Sequence, residues 1–380
     1  MNILINLSTL KMGGGQNVAL NFLHGLFEIN NPTHKYFFLV VRNSPLHLFL
    51  KEKKCQNVLL TSKSPILRVF KEFLYFPSII KDLKVNIIYT YFGYALFRGN
   101  TPQVCGVAIS NVFFPEIKFW QGNFIRVTAR KLIDIYRIYG LKKATALIFE
   151  NKKMEERCNS LFQISKDRTI FIPPSFSLST YQEDLILPEL NVKSLKLLML
   201  CGWQLHKNIM MVPEIAFQLK KRNLKIQFII TAPKDNSKLH EDFQTIVNNY
   251  DVQDMISLIG PIKKQQLKSL YEQIDCVLLM SKLESFSNNI IESWYFNKPL
   301  IVSNEEWAHS ICKNAAYYIN RNSAKDISNS IRELVSSPLI QIELIEEGKN
   351  QLENYPSITE KTRKEIAFLE KIYNDYKTTY

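Results

Sequence analysis

Glu284-Ser-Phe-Ser-Asn-Asn-Ile-Ile-Glu292 follows an apolar run, Asp275-Cys-Val-Leu-Leu-Met280, and leads into a helical pattern that ends near Lys298-Pro299. The next apolar run is Pro299-Leu-Ile-Val-Ser303. Strand, small polar turn, helix and strand in that order place the two glutamates at the carboxyl end of a parallel strand. That is where ligands of open α/β sheets bind. Glu284 falls on the strand-to-helix loop, and Glu292 falls just over a turn into the helix. Between them, the Ser287-Asn288-Asn289 run offers N-cap side chains and places unpaired backbone amides where an anion could bind. Two acids flanking such a helix start suit a ligand with sugar hydroxyls at its ends and phosphates in the middle. Spacing alone also fits a plainer reading, in which Glu292 is a solvated helix residue.

The pattern outside this stretch repeats the theme. Ile3–Leu7 reads as a strand, Gly13-Gly14-Gly15 as a glycine loop, and 18–27 as a helix with apolar residues at 18, 19, 22, 23 and 26. Further strands are predicted at 36–41, 57–61, 86–90, 103–108 and 145–149, and a long amphipathic helix over 120–141. Residues 173–193 have linker composition, from Pro173-Pro174 to Pro188. The alternation then restarts with strands at 195–201, 225–231, 256–259, 275–280 and 299–303. Helices are predicted at 208–222, 238–249, 263–273, 288–297 and 324–336. The tail from Leu339 is helical in pattern, with a break at Pro356. Alternating strands and helices predict doubly wound parallel sheets, and 380 residues suit two domains. The expected boundaries are a first domain over 1–175, a linker over 176–193, a second domain over 194–360, and a C-terminal helix over 361–380.

The composition, 46% hydrophobic and 22% charged, is that of an ordinary globular chain. No apolar run reaches the ~18–20 residues that span a bilayer. Met1-Asn-Ile-Leu-Ile-Asn-Leu7 carries no basic n-region or cleavage pattern, so no secretory leader is expected. Six scattered cysteines, none in a Cys-x-x-Cys pair, predict reduced thiols in a cytoplasmic protein. The histidines have no metal-ligand spacing, and no metal is expected. Net charge is +13, and residues 1–190 carry 24 Lys and Arg against 13 Asp and Glu. A basic first half points to an anionic partner such as membrane lipid, a diphosphate-linked acceptor or nucleic acid. A solvated lysine-rich surface explains the same charge without a partner. No zinc, helix-turn-helix or RNA-recognition signature accompanies it. The glycine triplet is not G-x-G-x-x-G and no acid follows about 20 residues on, which argues against a dinucleotide enzyme.

The Glu284-x7-Glu292 pattern followed by Lys298-Pro299-Leu-Ile-Val-Ser303 resembles the signature of the retaining, nucleotide-sugar-dependent glycosyltransferases of family 4. The resemblance is densest over about 196–335 and thinner before. It implies the GT-B fold: α/β, with two doubly wound Rossmann-like domains facing across a cleft and a C-terminal helix crossing back to the first. It implies transfer of a sugar from a nucleoside diphosphate sugar to a saccharide or polyprenyl-diphosphate-linked acceptor. The implied setting is bacterial surface polysaccharide assembly (O-antigen, capsule or lipopolysaccharide), with peripheral contact to the inner face of the cytoplasmic membrane and no cofactor. By the resemblance, Glu292 holds the ribose hydroxyls and Glu284 the donor-sugar hydroxyls. The backbone of Phe286, Ser287, Asn288 and Asn289 meets sugar or phosphate, and Lys207 carries diphosphate charge as a catalytic residue beside Glu284. Gly202 and His206 lie in the Lys207 loop, and Gly14 and Gly15 in the loop that faces the sugar-phosphate and acceptor.

Three departures stand out. Trp203 and Gln204 occupy the region where relatives often place an arginine, although Lys263 or Lys264 could contribute a cation. Ser287 stands where glycine is common. Val104–Asn111 lacks the histidine many relatives carry, leaving Ser110 or Asn111 as possible cleft residues. These departures keep open an inactive homologue acting as a partner subunit. A nucleotide-sugar epimerase and a nucleic-acid-binding protein also stay open at this point.

Overall fold

The computed structural model describes residues 1–10, 14–64, 67, 70–71, 74–95, 99–120, 122–176, 185–190 and 194–379. Gly13 of the glycine triplet lies outside them. The chain forms two compact units, Met1–Phe176 with Pro356–Tyr380, and Ser177–Tyr355.

The first unit is a seven-stranded parallel sheet in the order β3-β2-β1-β4-β5-β6-β7. Its strands are β1 (Asn2–Asn6), β2 (Lys35–Val41), β3 (Val58–Thr61), β4 (Ile87–Thr90), β5 (Gln103–Val107), β6 (Ala146–Phe149) and β7 (Thr169–Phe171). Its described helices before the crossover are α1 (Gly14–Ile29), α2 (Pro45–Glu52), α3 (Phe76–Asp82), α4 (Phe124–Lys143) and α5 (Lys152–Phe162). The strands read as unbroken apolar runs because helices cover the faces of the sheet. Ile3, Ile5, Phe38, Val40, Ile87 and Val104 share one core with Phe22, Leu23 and Leu26 of α1.

The second unit repeats the design with six parallel strands in the order β10-β9-β8-β11-β12-β13. These are β8 (Leu195–Met199), β9 (Ile226–Ile230), β10 (Ile256–Leu258), β11 (Cys276–Leu279), β12 (Leu300–Ser303) and β13 (Tyr317–Ile319). Its helices are α6 (Val212–Lys220), α7 (Lys238–Asn249), α8 (Leu267–Glu272), α9 (Asn288–Tyr295), α10 (Glu306–Cys312), α11 (Ala324–Val335) and α12 (Pro338–Leu352). The winding direction reverses between β8 and β11, which opens a crevice at their carboxyl ends.

The last helix, α13 (Ile358–Thr379), belongs to the first unit. Ile366, Phe368, Leu369 and Ile372 enter that unit's core. The approach to α1 is close enough that a Cβ at Gly25 would collide with the Thr362 hydroxyl. Only glycine leaves room there.

A buried charge network completes the seam. Lys361 is 3% exposed; its ammonium pairs with Glu150, just past β6, and lies 3.6 Å from Glu365. Burial pulls the Lys361 ammonium toward neutrality, but Glu150, Tyr91 and Glu365 together hold it charged. Burial pushes Glu365 up to about 7 against the pull of Lys361, while its Oε1 accepts from Tyr89 at 3.3 Å. Removing one member of a buried pair strands the other charge. Lys361→Met is expected to destabilise the first unit by about 3–5 kcal/mol in denaturant melts at neutral pH. Adding Glu150→Gln should recover most of that loss. Additive losses in the double variant would contradict the pairing.

Candidate functional site

Three loops of the second unit meet at the carboxyl ends of its strands. The loop after β8 does not enter a helix directly. Leu205–Lys207 forms a 3-10 turn, Asn208 adopts a left-handed conformation (φ 60°), and α6 begins only at Val212, with Pro213 in its first turn. Lys207 was expected to start the helix that follows β8. It instead closes a turn ahead of it, because Asn208 breaks the helical path. The Asn208 amide donates to the carbonyl of Arg321 at 2.8 Å, tying this loop to the one after β13. The backbone amide of Lys282, after β11, donates to the His206 carbonyl at 2.7 Å.

Across that seam the Lys207 ammonium pairs with the Glu284 carboxylate through Oε1. Both side chains are mostly sheltered, 16% and 12% exposed. At such depth a charge pair holds its geometry more firmly than a surface pair. His206 lies in the same field. Burial lowers its pKa, Glu284 opposes that, and Lys207 and Lys282 add to it.

Glu292 is 6% exposed, so the solvated reading fails. It accepts from the Tyr271 hydroxyl of α8 at 3.2 Å. Burial raises its pKa to about 7, with Tyr271 and Lys264 pulling the other way. Lys264 itself is exposed, at the start of the 3-10 turn Lys264–Gln266. The rest of α9 is fixed by packing. The Trp294 indole donates to the Ala315 carbonyl at 3.0 Å, and α12 passes so closely that a Cβ at Gly348 would sit 2.5 Å from the Trp294 ring.

The expected capping side chains do not cap. Ser287 is the N-cap residue by backbone conformation but makes no side-chain cap hydrogen bond. The buried Asn289 reaches back to the Leu200 carbonyl at 3.0 Å, pinning the start of α9 to the end of β8. Asn288 is exposed. The first amides of α9, which have no acceptor within their own helix, are thus not taken by a side-chain cap. Phe286 turns toward Tyr355, ring centroids 6.0 Å apart. Gly202 donates to the Gln204 side chain at 3.1 Å.

Trp203 is committed to packing. Its indole donates to the Pro233 carbonyl at 2.8 Å and stacks on His240. Two cations were not foreseen here. Lys282 lies two residues before Glu284, and Arg321 pairs with Glu305 at 2.6 Å. Lys282 was legible as part of the same strand-end loop. Arg321 was not, because the short β13 carried no clear strand pattern.

The remaining expected residues belong to the first unit. Gly14 and Gly15 open α1 after β1. Ser110 and Asn111 follow β5, and Asn111 is engaged with Asp134 of α4 at 2.7 Å.

The raised Glu292 pKa has a sign. A carboxyl that holds its proton more tightly when folded than when unfolded loses stability as pH rises. The loss runs from its ordinary 4.5 to about 7 and levels off above. Glu292→Gln, which keeps a partner for Tyr271, is expected to flatten the thermal-stability profile over that window by about 3 kcal/mol. An unchanged profile would contradict the buried, proton-holding state.

Residues 188–351 match the family model for glycosyl transferases group 1. No curated protein sequence matches the chain. Among solved structures, a glycosyltransferase from Rickettsia africae aligns at TM-score 0.72 and 15% identity, covering 98% of each chain. Sucrose-phosphate synthase from Thermosynechococcus elongatus aligns at 0.72 and 14%, covering 99% of this chain and all of that one. The Anabaena protein HepE, solved with UDP and glucose, aligns at 0.68 and 10%, covering 98% and 100%. At these identities the likeness establishes the fold, which is GT-B. The whole chain thus has the GT-B fold, and residues 188–351 of its second unit resemble the glycosyl transferases group 1 domain.

Proposed function

We propose that the chain is a retaining transferase moving a hexose-type sugar from a nucleoside diphosphate sugar to a saccharide or lipid-linked saccharide acceptor. The observation that carries this reading is the convergence of Lys207, Glu284, Glu292 and the uncapped start of α9 at the β8/β11 crevice. In this reading the α9 amides and Lys207 neutralise the leaving diphosphate. Glu284 keeps its second oxygen for donor-sugar hydroxyls while Lys207 occupies the first. Glu292 accepts the ribose hydroxyls. Lys282 supplies the second cation that Trp203 cannot. Catalysis is leaving-group stabilisation and positioning; no carboxylate is assigned as a covalent nucleophile and no metal is required. HepE, solved with UDP and glucose, supports a nucleotide-sugar donor by fold analogy.

The acceptor side is assigned to bacterial surface polysaccharide assembly, such as O-antigen, capsule or lipopolysaccharide, at the anionic inner face of the cytoplasmic membrane. The excess of cations over residues 1–190 supports this. Among the described residues no helix is long and apolar enough to cross a membrane, so the contact would be peripheral. A second reading, an inactive homologue serving as a partner subunit, is favoured by the commitment of Trp203 to packing.

With the donor identified, Glu292→Ala is expected mainly to raise donor KM, and Lys207→Ala mainly to lower kcat by about 100-fold or more. Wild-type kinetics in both variants would overturn the assignments. Turnover should survive EDTA; its loss would contradict a metal-free mechanism. Nucleotide binding with no turnover on any acceptor would favour the partner-subunit reading.

A further inference from the structure

Helix α4 has two faces. Gly140 and Leu141 are buried, and Asp134 is held by the Asn111 amide at 2.7 Å, the Trp120 indole at 2.5 Å and Arg137 at 2.9 Å. The Asn123 side chain caps the helix start by accepting from the Arg126 amide at 3.0 Å. The helix is therefore firmly seated by one side. On the other side Phe124, Ile125, Leu132, Ile135 and Tyr139 are 83%, 77%, 62%, 63% and 64% exposed. At the pitch of an α-helix these five fall in one sector of about 100°, opposite the seated face. Lys131, Lys142 and Lys143 border that sector, whereas Arg126, Arg130 and Arg137 lie on the seated side, Arg130 over the Trp120 ring and Arg137 on Asp134. The helix carries six cations against the single, already engaged Asp134.

An exposed apolar stripe on a seated helix needs an occupant. Two copies of α4 facing each other would oppose the three bordering lysines with three. A single helix face also offers less than the roughly 800 Å² per partner of a stable protein interface. A bilayer with anionic headgroups meets both demands: the stripe enters the acyl boundary, the cations meet phosphate, and Tyr139 sits at the interface between them. We infer that α4 is an interfacial helix that docks the first unit on an anionic lipid surface. The inference rests on the peripheral-membrane reading above and not on the transfer chemistry of the second unit.

The test is co-sedimentation of the full chain with phosphatidylcholine vesicles, with and without one quarter phosphatidylglycerol. The wild type should partition onto the anionic vesicles, with release in 0.5 M salt. Ile125→Glu with Leu132→Glu should lower partitioning by at least about tenfold. These side chains are exposed, so circular dichroism and thermal melts should remain those of the wild type. Should that variant misfold, Lys131→Gln with Lys142→Gln and Lys143→Gln should abolish the salt-sensitive part alone. Undiminished binding in a folded glutamate variant would overturn α4 as the contact while leaving the membrane reading intact. Absence of wild-type binding to either vesicle would overturn both. A lipid-free dimer in sedimentation velocity, dissolved by the glutamate pair, would assign the stripe to a second copy instead. None of these outcomes depends on turnover.

Discussion

The pairing of Lys207 with Glu284 is the constraint on which the second unit's site depends. Each residue comes from a different strand-end loop, and those loops flank the one place where the sheet reverses its winding. Hydrogen bonds onto backbone carbonyls fix the frame around the pair: the Lys282 amide to His206, the Asn208 side chain to Arg321, and the Asn289 side chain to Leu200. The pair is therefore preorganised, with little left to order when a charged ligand arrives. Its depth also gives each charge more influence than it would have in water.

Much of this was legible in the sequence, for physical reasons. Strands covered on both faces must be apolar throughout, so β8, β9, β11 and β12 stand out as runs. Amphipathic helices such as α7 and α11 declare their period. The Glu284–Glu292 spacing placed both acids near the crevice. Spacing carries no information on depth, however, and the burial of Glu292 against Tyr271 depends on α8, distant in sequence. Asn289 has the chemistry of a cap, and only the nearness of β8 turns it into a tether. Asn208 in a left-handed turn moved the start of α6 beyond Lys207. Short elements such as β7, β13 and α10 lacked the length to show a pattern.

The first unit obeys a different constraint. Its last helix returns from the far end of the chain and is locked by sterics at Gly25 and by charge at Lys361. Burial holds the proton on Glu365 far up the pH scale, even with Lys361 pulling the other way. Neither feature is readable from residues 356–380 alone, since Glu150, Tyr89 and Tyr91 lie more than 200 positions away.

The central claim is that the β8/β11 crevice binds a nucleoside diphosphate. Thermal melting of the purified chain against UDP, GDP, ADP, TDP and CMP, with and without their sugars, tests it most directly, since a ligand that binds only the folded state raises Tm. The account predicts a rise of several degrees with one nucleoside diphosphate, lost in Glu292→Ala. No rise with any of them, or a rise that Glu292→Ala leaves intact, would contradict it.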